Sequence, residues 1–594
     1  MKSPDHNFNQ FTVLLSKDFS KMSQFEQFSS DNVHLFLNGR VFNEKRENIL
    51  NNYLKDGDKI FKKLDGDFLI IIVEKEKLVV FRDRHGAGKQ FFYSTDYFST
   101  QLIDFTSIPG FTINPNFEAI FTFLSIGYVP SPMTSIEGIQ KLPGGNILKF
   151  NNNSFSTTDL FDFQDFIESA GTSKISLEEA TLEYEQLHQK AIASRIENTT
   201  KVGLLLSGGY DSGGNISKLR DIYDGDVVSY SIGFKDNPWT ELPLAKILSE
   251  RYKSTHFEYE IDGSEIMDLP QIVASLGDPF QEGGLMLNYS AMKLVKDSNE
   301  KPQIILGGDG NDQHFGTSGK ELALHWKFKK NGAQMFQKMF DGLGNGSLFE
   351  KDNLLFRAQF HNRKILHIQQ SDTFGFTKYQ LNNLNKRGYK VPAYKYLQNS
   401  PKSYSDFDQF FFCRNYLVDI KQVINEVILF KASKVADMFS NNISFPYMST
   451  DLYEFLKKMP VDYKFHGTMD ELSKGSGKSK YLHKQYLKPK LPTEITDRKK
   501  QGGFAPLPIF LKDNDQRKII FEIIEKSDAI NAIFDKKKIQ SFLKQYDLIA
   551  STHGYWFWYQ QVMANQIINL LTVVIWWELF INKKKNLNSL LDLK

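Results

Sequence analysis

Between Asn32 and Phe155 the apolar residues come in short runs, such as FLIIIVE at 68–74 and LVVFRD at 78–83, with Asp-Gly and Gly-Arg pairs between them. Short apolar runs bounded by turn residues predict strands, so this stretch reads as an antiparallel β-rich domain covering residues 1–160. Residues 161–174 read as a linker. The texture then changes. ISLEEATLEYEQLHQKAIASRI at 175–196 has helical spacing and leads into the apolar strand VGLLL, a Gly-Gly turn and another helix. VVSYSIGF at 227–234 and QIILGG at 303–308 repeat the pattern of a buried strand followed by a helical stretch. Strands alternating with helices predict a doubly wound parallel sheet in residues 175–594, extended by a mainly helical region from about Glu321 onward. The most apolar stretch, Ile567 to Ile581, is short for a bilayer span and carries Asn569, Thr572 and Glu578. It is expected to be a buried helix rather than a membrane anchor.

Composition narrows the function classes. With 594 residues the chain is too long for one core, which agrees with the two-domain reading. Its 73 basic and 70 acidic residues give a net charge of only +3, so no basic excess is available for nucleic acid. Cys413 is the only cysteine, which excludes an intramolecular disulfide and a zinc–thiolate cluster. The beginning, MKSPDHNFNQF, lacks the apolar segment of a secretory signal, and a cytoplasmic location is expected.

The chemistry concentrates at LLLSGGYDSGG, residues 204–214. After the strand, Ser207, Gly208 and Gly209 form a loop whose backbone can approach an anion, and the following helix N-terminus favours negative charge. The spacing is not that of a Walker A loop, and no lysine follows. Asp211 would repel a phosphate unless a divalent cation lay between them, so Mg²⁺ is implied. The bland alternative is a strand ending in a Gly-rich turn with an N-capping Asp. LGGDGNDQHFG at 306–316 follows a second buried strand, and KQGGFAP at 500–506 contains a lysine in a basic run.

The Ser-Gly-Gly-x-Asp-Ser string resembles the pyrophosphate loop of the ATP pyrophosphatase superfamily (adenine nucleotide α-hydrolase-like). LGGDGNDQHFG resembles the S-G-x-G-x-D-E-x-F-G signature of its asparagine synthetase branch. SFPYMSTDLYEF resembles that branch's P-F-L-D-x-x-L-x-x-F segment, with Ser449 in place of the usual Asp, and KQGGFAP resembles K-x-G-F-x-x-P. The resemblance implies that ATP is bound by Leu206, Ser207, Gly208, Gly209, Asp211, Ser212, Ile232, Gly307 and Gly308. It implies Asp211 and Asp312 as Mg²⁺ carboxylates, Lys500 as the active-site lysine and Asp309 as the base. Further upstream, FLNGRVFN, LDGDF and VVFRDRHGAGKQFFY resemble a class II glutamine amidotransferase domain, an Ntn-type αββα fold.

The departures carry as much as the matches. Glutamine hydrolysis in that class needs an N-terminal cysteine whose α-amine assists the thiol, and position 2 is Lys2. Arg40 replaces the Glu of N-G-E, leaving Asn38, Gly39 and Asp83 as scaffold in a degenerate domain. The resemblance therefore implies amide formation through an acyl-adenylate, releasing pyrophosphate and AMP, without glutamine hydrolysis. The substrate is a carboxylate plus an amine. We favour lactam closure on a precursor peptide, as in lasso-peptide cyclases, with a leader-peptide protease or recognition protein as partner. Ammonia-dependent asparagine synthesis, a β-lactam or other amide synthetase, and an inactive scaffold are the alternatives. No membrane or nucleic-acid partner is expected.

Overall fold

The computed structural model describes residues 25–74, 77–151, 154–237, 240–316, 319–343, 350–366, 375–386, 388, 403–497 and 505–593. Strands β1 (Glu26–Ser30), β2 (Val33–Val41), β3 (Gly66–Glu74) and β4 (Lys77–Arg82) pair antiparallel in sequence. A second sheet is built from β5 (Phe92–Tyr93), β6 (Phe98–Ser99) and β7 (Gln140–Lys141). The first sheet is completed by β8 (Asn146–Asn151) and β9 (Ser154–Asp159), in the order β1-β2-β3-β4-β8-β9.

Because side chains alternate along a strand, β3 serves two cores. Ile70 and Ile72 pack with Ile49, Leu50 and Tyr53 of the helix Arg46–Asp56. Leu69 and Ile71 pack with Tyr93 and Phe98 of the small sheet and with Phe91 just before it. On that sheet's far side, Phe92 belongs to the same buried cluster as the helix Phe117–Ile126. The layers are those of the expected αββα domain, with its second sheet reduced to three two-residue strands. The region expected as a linker holds a helix of its own, Phe163–Ser169, because its buried Phe166 packs on the Tyr416 ring.

The second domain is built on β10 (Lys201–Leu205), β11 (Asp226–Phe234), β12 (Thr255–Ile261), β13 (Ile304–Leu306) and β14 (Ile443–Ser444), all parallel. Their order is β12-β11-β10-β13-β14. The continuous apolar runs follow from coverage on both faces: Val202, Leu204 and Leu306 enter one core, while Val228, Tyr230 and Ile305 enter the other. The chain winds outward from β10 to β12 and returns to β13. The order thus reverses between β10 and β13, where the loops after the two strands part and leave a crevice.

The stretch around Ile567–Ile581 lies in the helix Phe557–Phe580, the one helix among the described residues long and apolar enough to cross a membrane. It is buried, in a cluster shared with Ile120 and Phe123 of the N-terminal domain.

Candidate functional site

The two glycine-rich motifs meet in this crevice. Leu206 leaves β10 with its carbonyl accepting from Ser231 Oγ on β11 (2.5 Å), which sets Ile232 beside the loop at the end of that strand. Gly208 has φ +73°, and a Cβ there would lie 2.6 Å from Leu244 Cβ and 2.9 Å from the Ala245 nitrogen. Only glycine fits this turn under the helix Leu242–Arg251. Ser212 Oγ accepts the Ser207 N–H at 3.1 Å and closes the loop on the first turn of the helix Tyr210–Ile222. That helix is capped by Gly209, not by Asp211, so the capping explanation for Asp211 does not hold.

Asp211 instead points across the crevice. Asn311 Nδ2 donates to its Oδ1 at 2.6 Å, and Lys480 Nζ donates to its Oδ2 at 2.5 Å. His483 Nε2 stands 3.1 Å from Oδ1, and Tyr447 OH donates to the Asp211 carbonyl at 2.8 Å. Lys480 Nζ also lies 2.8 Å from Asp312 Oδ1, so one buried ammonium bridges the carboxylates of both motifs. Burial alone would raise the Asp211 carboxyl, but Lys480 and His483 hold it well below the usual range. Against its own burial, the two carboxylates hold the Lys480 ammonium above its ordinary value.

The second motif is seated by its neighbours. Gly307 donates to the Ser444 carbonyl on β14 at 2.9 Å and accepts from Asn215 Nδ2 at 3.0 Å. A Cβ on Gly308 would lie 3.3 Å from both Asp211 Cβ and the Ser212 nitrogen, so the second motif closely approaches the first turn of the helix Tyr210–Ile222. Tyr184 OH donates to Asn311 Oδ1 at 3.0 Å and meets His483 Nδ1 at 2.9 Å. Burial lowers the Asp211-facing His483, against the pull of Asp211 itself, and takes His188 behind it down to about 3. Burial pushes the Asp309 carboxyl up to about 6; Lys431 pulls it down, while Glu282, Asp211 and Asp312 add to the rise.

The structure thus brings together Leu206, Ser207, Gly208, Gly209, Asp211, Ser212, Ile232, Gly307, Gly308, Asp309 and Asp312. Lys500 lies outside the described residues. Sequence reading missed Lys480, His483, Asn311 and Tyr184. The available signal was KYLHKQYL, in which Lys480 and His483 stand three apart beside the helical apolar positions Leu482, Tyr486 and Leu487. Among the described residues no group of three or more His, Cys, Asp or Glu clusters as a metal site.

In the N-terminal domain, Gly39 has φ +97° and its Cα lies against the Asp67 carbonyl, which a Cβ would approach to 2.1 Å. Asp83 accepts the N–H groups of His85, Ala87 and Gly88 at 2.7–3.2 Å, a turn-forming role. Arg40 reaches across to the Gln303 carbonyl at 3.1 Å. Cys413 is buried within the helix Phe407–Arg414, where desolvation pushes its thiol up to about 11.

Residues 183–577 match the family model described as asparagine synthase, and residues 29–161 the one described as glutamine amidotransferase domain. The chain is 24% identical over 511 residues to asparagine synthetase (glutamine-hydrolyzing) 1 of Bacillus subtilis strain 168, covering 83% of this chain and 76% of that one. A Mycobacterium bovis relative, also named as an asparagine synthetase (glutamine-hydrolyzing), is 20% identical over 90% of this chain and 80% of its own. One from Methanocaldococcus jannaschii is 27% identical over 46% of this chain and 53% of its own.

Proposed function

The chain belongs to the asparagine synthase family, with a glutamine amidotransferase-like domain before its synthase domain, and is an ATP-dependent ligase of the asparagine synthetase kind; on that premise we propose that it forms an amide through an acyl-adenylate without hydrolysing glutamine. The bond made is a lactam, closed between an amine and a side-chain carboxylate of one precursor peptide. The observation that carries the synthetase half is the meeting of Asp211 and Asp312, each in the first turn of the helix after its glycine loop at the switch point, bridged by Lys480. The loss of the glutaminase half rests on Cys413, which is the only cysteine, buried in mid-helix with a poorly acidic thiol.

In the first step a carboxylate oxygen attacks the α-phosphorus of ATP and pyrophosphate leaves. The N-terminus of the helix Tyr210–Ile222 and Lys480 offer positive charge to the phosphates, and Ile232 offers an apolar wall beside them. Asp211 and Asp312 supply hard oxygen donors suited to Mg²⁺, which is commonly held by one or two carboxylates together with substrate phosphates. When bound, it would screen the charge between the carboxylates and the phosphates. For that, Lys480 must give up its place between them. In the second step an amine attacks the acyl carbon, the bond to the phosphate oxygen breaks, and AMP leaves. Asp309 accepts a proton from the amine, and Lys500 stabilises the negative charge growing on the carbonyl oxygen and the departing phosphate.

The names of the relatives, asparagine synthetases, favour a second reading, amidation of aspartate, for which a chain without a glutaminase would draw on free ammonia. Pyrophosphate exchange separates the two. With labelled pyrophosphate and ATP, a peptide carrying a free N-terminal amine and an Asp or Glu side chain should support exchange and lose one water. Aspartate should not. Exchange with aspartate alone would overturn the lactam reading, and steady release of glutamate from glutamine would overturn the loss of the glutaminase.

A further inference from the structure

Beside Asp309 stands a charged pair that the phosphate chemistry does not use. Glu282 lies on the loop before the helix Leu285–Asp297, and Lys431 lies on the helix Leu429–Met438. Lys431 Nζ donates to Glu282 Oε2, which also accepts the Gly284 N–H at 2.9 Å. The Lys431 side chain is 6% exposed and that of Glu282 36%, so the carboxylate covers a buried ammonium and turns its other side to solvent. The ammonium lies close over the loop backbone: a Cβ on Gly284 would lie 2.5 Å from Lys431 Nζ. A Cβ on Gly283 would come within 3.9 Å of Ala505 Cβ, the first described residue after the stretch that carries Lys500. Asp309 interacts electrostatically with both members of the pair. Glu282 therefore stands near Asp309, and the residue after it, Gly283, faces Ala505.

The loop is held from outside the site. Asp278 is buried, and its carboxylate accepts from Lys141 Nζ, Ser135 N and Ser135 Oγ of the N-terminal domain, each at 2.7 Å. Gln281 donates its N–H to the Gly127 carbonyl at 2.8 Å. Glu282 follows directly on this anchored stretch.

An amine arrives at neutral pH mainly as its ammonium form and must lose two protons to become an amide nitrogen. One proton leaves before the nitrogen lone pair can attack, and the second leaves the adduct as the carbon–oxygen bond breaks and AMP departs with that electron pair. Asp309 accounts for one of these protons. We propose that Glu282 accounts for the other: it receives the incoming primary ammonium, takes the first proton and passes it to solvent, while Lys431 positions it against Asp309. The proposal rests on the ligase reading of this site and adds the acceptor class, a cationic primary amine.

The test uses the full chain with ATP and a carboxylate that supports pyrophosphate exchange, offering either ammonium chloride or hydroxylamine, which is largely uncharged at neutral pH. Glu282→Gln should keep exchange, raise KM for ammonium about tenfold or more, and leave hydroxamate formation within about twofold. Glu282→Asp should recover part of the ammonium reaction. Lys431→Met removes the cation that lowers Asp309, where Glu282, Asp211 and Asp312 act in the opposite sense, so the acid limb of its kcat profile should move to higher pH. Equal losses with both amines, or none with either, would overturn the proposal. So would a parent enzyme that consumes hydroxylamine but neither ammonium nor a peptide N-terminal amine. If no carboxylate supports exchange even in the parent, the ligase reading itself has failed.

Discussion

Two aspartates a hundred residues apart carry the site, and each is held differently. Asp211 has Asn311, Lys480 and His483 around one carboxylate, whereas Asp312 keeps a more exposed side chain and shares Lys480. Asp211→Asn and Asp312→Asn should each lower ATP–pyrophosphate exchange by about a hundredfold or more, as loss of a preorganised charge at a reacting phosphate does. Exchange near the parental rate in both would remove them from the site. Asp211 and Asp312 were legible in the sequence because each stands within a few residues of its own strand and glycine turn. Lys480 was not. It comes from 168 residues beyond Asp312, and a lysine in GKSKYLHK looks like any solvated cation until the fold buries it. Lys431 and Glu282 share that difficulty, since only the packing of two distant segments makes them partners.

At the scale of elements, the strand–loop–helix unit from Lys201 to Ile222 does most to shape the proposed phosphate site. Its glycines differ in purpose. Gly208 is left-handed and pressed against the helix Leu242–Arg251, whereas Gly209 has φ −88° and only Ser207 Oγ near its would-be Cβ, at 3.3 Å. Gly208→Ala should therefore cost roughly 1–3 kcal/mol of stability through strain and clash, seen as a lower melting temperature, and should damage exchange as well. Gly209→Ala should melt as the parent does yet show a raised KM for ATP, because a methyl group then stands where phosphate must approach. Equal melting of the two variants would contradict this division. The alternation of strand and helix made this sheet readable in advance. The helix Phe163–Ser169 was not, because its acidic surface residues matched those of a linker and the ring partner of Phe163 and Phe166, Tyr416, lies far along the chain.

Across the whole molecule, the N-terminal domain is wired into the synthase sheet. Asp67 accepts from Ser444 Oγ, which accepts in turn from Arg195 Nε at 3.1 Å, and the Ser444 carbonyl receives Gly307 of the site. Burial raises the Asp67 carboxyl to about 7, against 3.8 for the free side chain. The folded protein then binds a proton that the unfolded chain releases, so this group's contribution to stability falls as pH rises from about 4 to about 7. Asp67→Asn should flatten the decline of melting temperature with pH across that window; an unchanged slope would place its cause elsewhere. The helix Phe557–Phe580 joins the two halves differently, by filling a core with residues from both. Its Gln561 holds the Ala505 carbonyl and the Leu507 N–H at 2.7 and 2.9 Å, steadying the chain just after Lys500. On the ribosome this helix is made after every described strand. Until it emerges, the nascent protein carries an uncovered apolar surface running from its first domain into its second, a standing invitation to chaperones and to aggregation. A message cut short before Phe557 should yield protein found in the pellet, although every predicted phosphate ligand and both carboxylates have already been translated.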